Sequence, residues 1–167
     1  VNQLIRHGYI YILDADLKDF FSNLHHDILL NKLNEELKDI RILILIKRYL
    51  QQIEYRDNHF KIMKKGVKQG SIISPILSNI YLHSFDKEIR AKSYRLVRYA
   101  DDFIILAKTK EELVRAYSYA ENLLKLLELE FNKEKTKVLN LDKGHRFKFL
   151  GDSFDKDGIM KKPDILF

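Results

Sequence analysis

The chain has 167 residues, 46% of them hydrophobic and 32% charged, a composition typical of a globular domain with a sizeable core. It contains no cysteine, which excludes disulfides and thiolate metal sites. Its net charge of +6 favours a polyanionic partner, with nucleic acid as the first candidate.

Neither a membrane segment nor a signal peptide is expected. The most apolar window, Ile40 to Ile46, is much shorter than a bilayer span and contains Arg41. The N-terminal residues lack a basic segment followed by a long apolar run. Repeats and Gly/Ser-rich linkers are also lacking, so residues 1–167 are predicted to form a single domain.

The first predicted element is a strand at Tyr9–Leu13, which is apolar at every position. Such a run is typical of a strand covered on both faces, at the centre of a sheet. Asp14 and Asp16 follow two residues apart, so their carboxylates share one face if the strand continues.

Two helices and a hairpin are predicted next. Asp27 is a candidate N-cap for an amphipathic segment that runs to about Ile40, and a second helical stretch ends near Leu50. The alternation over Ile53–Met63, around Asp57-Asn58, predicts a hairpin.

A basic cluster then leads into a third helix. Ser74-Pro75 predicts its start, with Ser74 as N-cap and Pro75 at the first helical position. The lysines of the cluster are Lys61, Lys64, Lys65 and Lys68. The apolar residues predicted to share one face of the helix are Ile76, Leu77, Ile80, Tyr81, Phe85 and Ile89.

Leu96–Leu106 consists of two short apolar runs joined by Asp101-Asp102, which predicts a hairpin with both carboxylates at or beside its turn. Neighbouring carboxylates repel each other at low dielectric, so a proton or a divalent cation is expected between them. Taken alone, the pair is equally consistent with a solvated turn.

The rest of the chain predicts one helix and several strands. Thr109–Glu112 has the form of a capping box before an apolar stripe that ends at Leu127. Strands are predicted at Thr136–Leu141 and Arg146–Gly151, and a turn at Asp155–Gly158. The order of elements predicts an α+β fold, with helices on one face of a mainly antiparallel sheet and the carboxylates on the other, open face.

Five segments in this order resemble the motifs of a reverse transcriptase palm domain, most closely those of group II intron-encoded and related bacterial enzymes. They cover roughly residues 8 to 155. Two departures from the usual pattern are Lys68, where many intron enzymes have Pro, and Asp152, where an aromatic residue often follows the Gly. The segments are Asp14–His26, Gly66–Leu82, Tyr99–Asp102, Phe131–Lys137 and Phe147–Gly151.

The resemblance implies an RNA-directed DNA polymerase that joins a deoxynucleoside triphosphate to a primer 3′-hydroxyl. It implies that Asp16, Asp101 and Asp102, with the Leu17 carbonyl, hold two Mg²⁺ ions, for which Mn²⁺ can substitute. Residue chemistry alone does not separate Asp14 from Asp16, and the family spacing to an aromatic residue five positions later selects Asp16.

Further roles follow from the resemblance. Phe21 would be the steric gate against ribonucleotides, the alternative being a core Phe21 with Phe20 exposed. Lys135 would protonate the pyrophosphate, unless it is simply a solvated lysine. The other implied contacts are with the nucleotide by Gln69, Gly70 and the backbone near Asp19 and Phe20, and with the primer by Tyr99, Leu150 and Gly151.

The implied partners are an RNA template, a DNA primer, the nucleotide and, in an intron element, the intron RNA. A fragment without the N-terminal part of the fingers and without the thumb is expected, from a bacterial cytoplasm or an organelle. The alternative function is a non-catalytic RNA-binding maturase scaffold. His25-His26 is interpreted as structural, because adjacent helical residues point apart.

Overall fold

A computed structural model describes residues 1–51, 53–56, 59–68 and 70–159 of the chain. The helices are α1 (Asn2–Arg6), α2 (Phe20–Asn23), α3 (His26–Leu37), α4 (Ile40–Leu50), α5 (Ser74–Ala91) and α6 (Lys110–Leu126). The strands are β1 (Tyr11–Ala15), β2 (Ile53–Arg56), β3 (His59–Ile62), β4 (Arg95–Tyr99), β5 (Asp102–Ala107), β6 (Lys137–Asn140), β7 (Phe147–Phe149), β8 (Asp152–Asp155) and β9 (Gly158–Ile159).

The main sheet has the strand order β4-β5-β1-β6 and is antiparallel throughout. Strand β1 lies in its interior, and the side chains of Ile12 and Leu13, which point to opposite faces, are both 0% exposed. The prediction of a central strand covered on both faces is therefore confirmed, with the strand at Tyr11–Ala15 and not at the predicted Tyr9–Leu13. The α+β class is confirmed as well.

Helices α5 and α6 cover one face of this sheet, and α3 packs against α5. Leu13 and Phe103 from the sheet belong to the same buried cluster as Leu77, Phe85 and Leu113 from the helices. Burial of side chains of this size removes most of their apolar surface from water, and this is the main force that holds the layers together.

The opposite face is not open, which corrects the prediction. A small sheet, β7-β8-β9, and helix α1 pack on it and bury Ile12, Ile104 and Leu106 in a second core. Phe147 and Phe154 in this layer stack with their ring centroids 5.2 Å apart. The alternation in β7 and β8 follows from this, because only one face of the small sheet meets the core.

Helix α1 was not predicted, because one helical turn carries too little periodicity. Tertiary contacts hold it instead: Ile5 is buried in the second core, and the Asn2 side chain accepts a hydrogen bond from the Ile159 backbone at 3.3 Å. Short helices need such packing, since nucleation is unfavourable in isolation.

Two predicted helix starts are displaced by one or two residues. Helix α3 begins at His26 with His25 as N-cap, and Asp27 lies in its first turn. Helix α5 has Ile73 as N-cap, because the Ser74 hydroxyl donates to the Lys68 carbonyl at 2.7 Å instead of capping the helix. Ile76 points to solvent, which corrects its place in the apolar stripe.

Other local predictions are confirmed. The Thr109 hydroxyl accepts a hydrogen bond from the Glu112 backbone at the start of α6, and α4 ends at Leu50. Strands β2 and β3 pair as the predicted hairpin, whose tip at Asp57-Asn58 lies outside the described residues. Asp155–Gly158 forms the turn between β8 and β9.

The fully buried Tyr81 leads to a prediction about stability. Its hydroxyl donates to the Leu127 carbonyl at 2.7 Å, so Tyr81→Phe leaves a buried acceptor without its partner. We expect a loss of about 1–3 kcal/mol in the free energy of unfolding, measured by urea denaturation at pH 7. Burial raises the pKa of Tyr81 to about 12. The stability that the protonated hydroxyl gives the wild type is therefore lost as the pH rises from the ordinary tyrosine pKa through 12.

Tyr99→Phe is the matched control, because the Tyr99 side chain is largely exposed. It should change the free energy of unfolding little. Equal effects of the two substitutions, or a difference between wild type and Tyr81→Phe that does not shrink above pH 10, would contradict the role given to the Tyr81 hydroxyl.

Candidate active site

The predicted carboxylates lie at one corner of the main sheet. Tyr99 pairs with Asp102, which leaves Ala100 and Asp101 as a two-residue turn between β4 and β5. Ala15 pairs with Phe103, so Asp16, which follows β1, emerges next to Asp102. The predicted position of Asp101 and Asp102 at a hairpin turn is confirmed.

This corner carries an excess of negative charge. Partial burial raises the pKa of the Asp102 carboxyl, and the nearby carboxylates of Asp14, Asp101 and Asp16 raise it further. A divalent cation would relieve this repulsion, and carboxylate oxygens are the ligands that Mg²⁺ prefers. Over the described ranges, however, no three acidic or histidine side chains are gathered closely enough to hold a metal ion. The donor set thus fits Mg²⁺ in chemistry and location, and its side chains would have to converge on the ion.

Asp14 lies within strand β1, two residues before Asp16. It pairs in register with Ile104 on β5 and with Lys137 on β6. Burial raises the pKa of Asp14, the Lys137 ammonium lowers it, and the Asp16 carboxylate raises it. Asp14 therefore flanks the corner with Lys137 as its neighbouring cation.

The segment 130–136 holds Asp16 in place. The Asp16 carbonyl accepts a hydrogen bond from the Asn132 backbone at 2.8 Å, and Leu17 forms an isolated bridge with Phe131. The predicted general acid, Lys135, lies with its Nζ 3.6 Å from Asp16 Oδ2. In this structure Lys135 is the counterion of a predicted metal ligand.

Phe20 and Phe21 differ in burial. Phe20 is 2% exposed and belongs to the main core, while Phe21 is half-buried and packs at its margin. Both lie in the short helix α2, which follows Asp19 in a left-handed conformation with φ of 45°. The alternative in which Phe20 is the exposed ring is wrong in this structure, because α2 turns that ring into the core.

The loop before α5 packs against α2. The Val67 backbone donates to the Phe21 carbonyl at 2.7 Å, and Gly66, with φ of 96°, passes so close that a Cβ would lie 3.3 Å from the Ser22 carbonyl oxygen. Of the two residues predicted to contact the nucleotide here, Gly70 is exposed with φ of 79°, and Gln69 lies outside the described residues.

The predicted primer contacts are exposed and lie in two places. Tyr99 is 67% exposed at the end of β4, beside the acidic corner. Leu150 and Gly151 form the two-residue turn between β7 and β8, both with positive φ, rather than an edge strand. A leucine at φ of 52° is unusual, and its side chain is 55% exposed.

The two histidines make contacts of the kind expected for structural residues. His25 Nε2 lies 3.0 Å from the Glu128 carboxylate, and buried His26 forms a hydrogen bond through Nε2 with the Gly66 carbonyl at 2.8 Å.

The sequence analysis did not predict that Arg98 forms a buried ion pair. This residue is on β4, and its side chain, 7% exposed, is paired with Asp86 of α5. A charged residue two positions after buried Leu96, and so on the core face of a strand, was the signal that could have pointed to it.

The pairing of Lys135 with Asp16 leads to a prediction about metal affinity. The ammonium competes with a divalent cation for the Asp16 carboxylate, so Lys135→Gln should tighten Mn²⁺ binding. An exposed pair is worth roughly 0.2–1 kcal/mol, which corresponds to an increase of about 1.4- to 5-fold in affinity at low salt. Calorimetric titration with Mn²⁺ measures the affinities of the variant and of the wild type.

Lys133→Gln removes an equal charge from the same exposed segment and is the control. It should alter Mn²⁺ affinity less than Lys135→Gln does. Weaker binding by Lys135→Gln, or identical changes in both variants, would mean that Lys135 does not compete at Asp16.

The chain is similar in sequence to two curated proteins. The chain is 26% identical to protein YkfC of Escherichia coli K12, over 84% of this chain and 46% of YkfC. It is 31% identical to the group II intron-encoded protein LtrA of Lactococcus lactis, over 79% of this chain and 21% of LtrA. The chain thus spans less than half the length of these curated relatives.

The fold is that of solved telomerase structures. The telomerase of Candida tropicalis in complex with a telomeric RNA fragment superposes with a TM-score of 0.74, at 19% identity, over 99% of this chain and 33% of the telomerase chain. No helix in the described ranges is both long and apolar enough to cross a membrane.

Residues 2–154 match the model of the family described as reverse transcriptase (RNA-dependent DNA polymerase). The chain belongs to the reverse transcriptase family and is related to the group II intron-encoded proteins.

Proposed function

We propose that this chain is the palm of an RNA-directed DNA polymerase of the group II intron type, which extends a DNA primer on an RNA template. The observation that carries the proposal is that the sheet brings Asp16, Asp101 and Asp102 to one corner, where partial burial and then the neighbouring carboxylates raise the pKa of Asp102. The family membership supports it.

The three carboxylates, with the Leu17 carbonyl, would hold two Mg²⁺ ions, and Mn²⁺ would substitute. Bound there, the ions would supply charge neutralisation at the reacting phosphate and at the leaving pyrophosphate. Asp101 lies in the turn between β4 and β5, Asp102 is the first residue of β5, and Asp16 directly follows the neighbouring strand β1. The sheet therefore brings together ligands that are 85 residues apart along the chain.

Lys135 is suited to act on the pyrophosphate side. Its ammonium is exposed and within 3.6 Å of Asp16 Oδ2. From there the ammonium would give a proton to the leaving pyrophosphate as the bond between the α-phosphorus and the bridging oxygen breaks.

The nucleotide would lie over α2 and the loop that precedes α5. Phe21 would be the gate, and its half-buried ring at the core margin, beside the buried Phe20, supports this assignment. The backbone near Asp19 and Phe20 would contact the phosphates, and Gln69 and Gly70 would contact the base pair and sugar.

The primer would reach the corner across Tyr99 and the Leu150-Gly151 turn, both of which expose apolar surface. In an intron element the intron RNA would be a further partner. We also propose that residues 1–167 form a single palm domain within a longer polymerase, since the curated relatives are more than twice as long.

The first prediction from this function concerns Asp101. In the complete polypeptide that contains this chain, Asp101→Asn should reduce primer extension on an RNA template by at least about 10³-fold, because charge neutralisation at the reacting phosphate depends on the ligand set. The rate of primer extension with Mg²⁺ is the measurement. In addition, Mn²⁺ should broaden the resonances of the turn between β4 and β5 less in this variant than in the wild type.

Asp157→Asn is the control, since Asp157 is an exposed carboxylate in the turn between β8 and β9. It should extend primers at the wild-type rate. Wild-type protein that binds RNA but extends no primer, with Mn²⁺ broadening that spares Asp16, Asp101 and Asp102, would favour the non-catalytic maturase scaffold.

The second prediction concerns discrimination between sugars. Phe21→Ala should admit ribonucleoside triphosphates, because removal of the ring frees the space that a 2′-hydroxyl would fill. Deoxynucleotide incorporation should fall only modestly. The ratio of kcat/KM for the two nucleotide types is the measurement.

Phe20→Ala is the matched control on the neighbouring position. Because Phe20 is a core residue, we expect it to cost about 3–5 kcal/mol of stability without changing the preference for deoxynucleotides. Ribonucleotide exclusion that survives in folded Phe21→Ala would show that the gate lies elsewhere.

A further inference from the structure

We infer that Arg98 is a positioning residue, which holds the Ala100-Asp101 turn against helix α5 and so sets the place of the acidic corner. The inference rests on the proposed function, because the turn matters to chemistry only if its carboxylates take part in nucleotidyl transfer.

The Arg98 guanidinium makes four hydrogen bonds. Nε and Nη2 donate to the two carboxylate oxygens of Asp86, at 2.8 and 2.6 Å. Nη1 donates to Asn79 Oδ1 at 3.0 Å and to the Ala100 carbonyl at 2.7 Å. The side chains of Arg98 and Asp86 are 7% and 12% exposed. A buried fork paired in this way has its orientation well defined.

The bond to Ala100 acts at a strained point of the backbone. Ala100 has φ of 53°, a conformation that residues with a Cβ rarely adopt. Such a residue persists where surrounding contacts hold it. The carbonyl that Arg98 binds belongs to the peptide unit that joins Ala100 to Asp101, so the bond restrains the direction in which Asp101 leaves the turn.

The same guanidinium connects this turn to a second part of the proposed site. Its partners Asn79 and Asp86 both lie on α5, and α5 begins at Ser74, directly after the loop that contains Gly70. Arg98 therefore ties the carboxylate turn to the helix that follows the proposed nucleotide loop. The separation between metal ligands and nucleotide contacts depends on this tie.

A lysine at position 98 cannot make these four hydrogen bonds. A single ammonium can remain near Asp86, but it lacks the planar fork that reaches Asp86, Asn79 and Ala100 together. Arg98→Lys thus keeps the charge beside the buried carboxylate and removes the restraint on the turn. Arg95→Lys is the matched control, because Arg95 is exposed at the other end of β4, where its Nε donates to the Tyr9 hydroxyl.

The experiment compares the two variants in the complete polypeptide by primer extension and by backbone amide exchange. For Arg98→Lys we expect kcat to fall about 10²-fold with KM for the deoxynucleotide within about twofold, since the misplaced groups act in the chemical step. Amides of residues 100–102 should exchange at least about tenfold faster while those of 103–106 keep the wild-type rate. Arg95→Lys should match the wild type in both measurements.

Two results would overturn the inference. One is Arg98→Lys with wild-type kcat and wild-type exchange at the turn. The other is faster exchange spread evenly over β4 and β5, which would reduce Arg98 to a general contributor to stability. A wild-type protein that extends no primer would contradict the proposed function instead, and the exchange comparison would still decide whether Arg98 holds the turn.

Discussion

The antiparallel register of β1 on β5 is the constraint on which the candidate site depends. Tyr11 opposite Ala107 and Ala15 opposite Phe103 bring the end of β1 to the start of β5. A slip of one residue would exchange the faces of every side chain on β1, placing Ile12 among the helices and Leu13 under the small sheet. Since both residues are fully buried, the two cores select one register, and that register puts Asp16 beside Asp102.

Burial of the sheet on both faces also explains why the carboxylates of β1 and β5 lie at or near the ends of these strands. The helices and the layer of α1 and β7-β9 leave little of the interior of β1 and β5 accessible. Carboxylates cannot be buried unpaired in such a core, so they occur where β1 ends and β5 begins. At that edge partial burial raises the pKa of Asp102 and the neighbouring carboxylates raise it further, a repulsion that a divalent cation would relieve.

Hydrogen bonds to backbone carbonyls hold the groups around this corner, in addition to the packing of core residues such as Leu17 and Phe20. Asn132 holds the Asp16 carbonyl, Val67 holds the Phe21 carbonyl, and Arg98 holds the Ala100 carbonyl. Each bond fixes a peptide unit next to a proposed functional residue. Residues with strained or left-handed backbone, such as Asp19 and Ala100, occur at the same places, as is common where function sets the conformation.

The sequence by itself determined the central strand, the hairpin with its two aspartates, helix α6 and the family, because each depends on local periodicity or on motifs of contiguous residues. Tertiary structure alone decided that the second face is covered, that Phe20 rather than Phe21 enters the core, and that α1 forms. It also decided the pairing of Arg98 with Asp86 and of Lys135 with Asp16, residues separated by 12 and 119 positions. Contacts of this kind depend on which faces pack together, and that is settled by burial of the whole chain and not by any one segment.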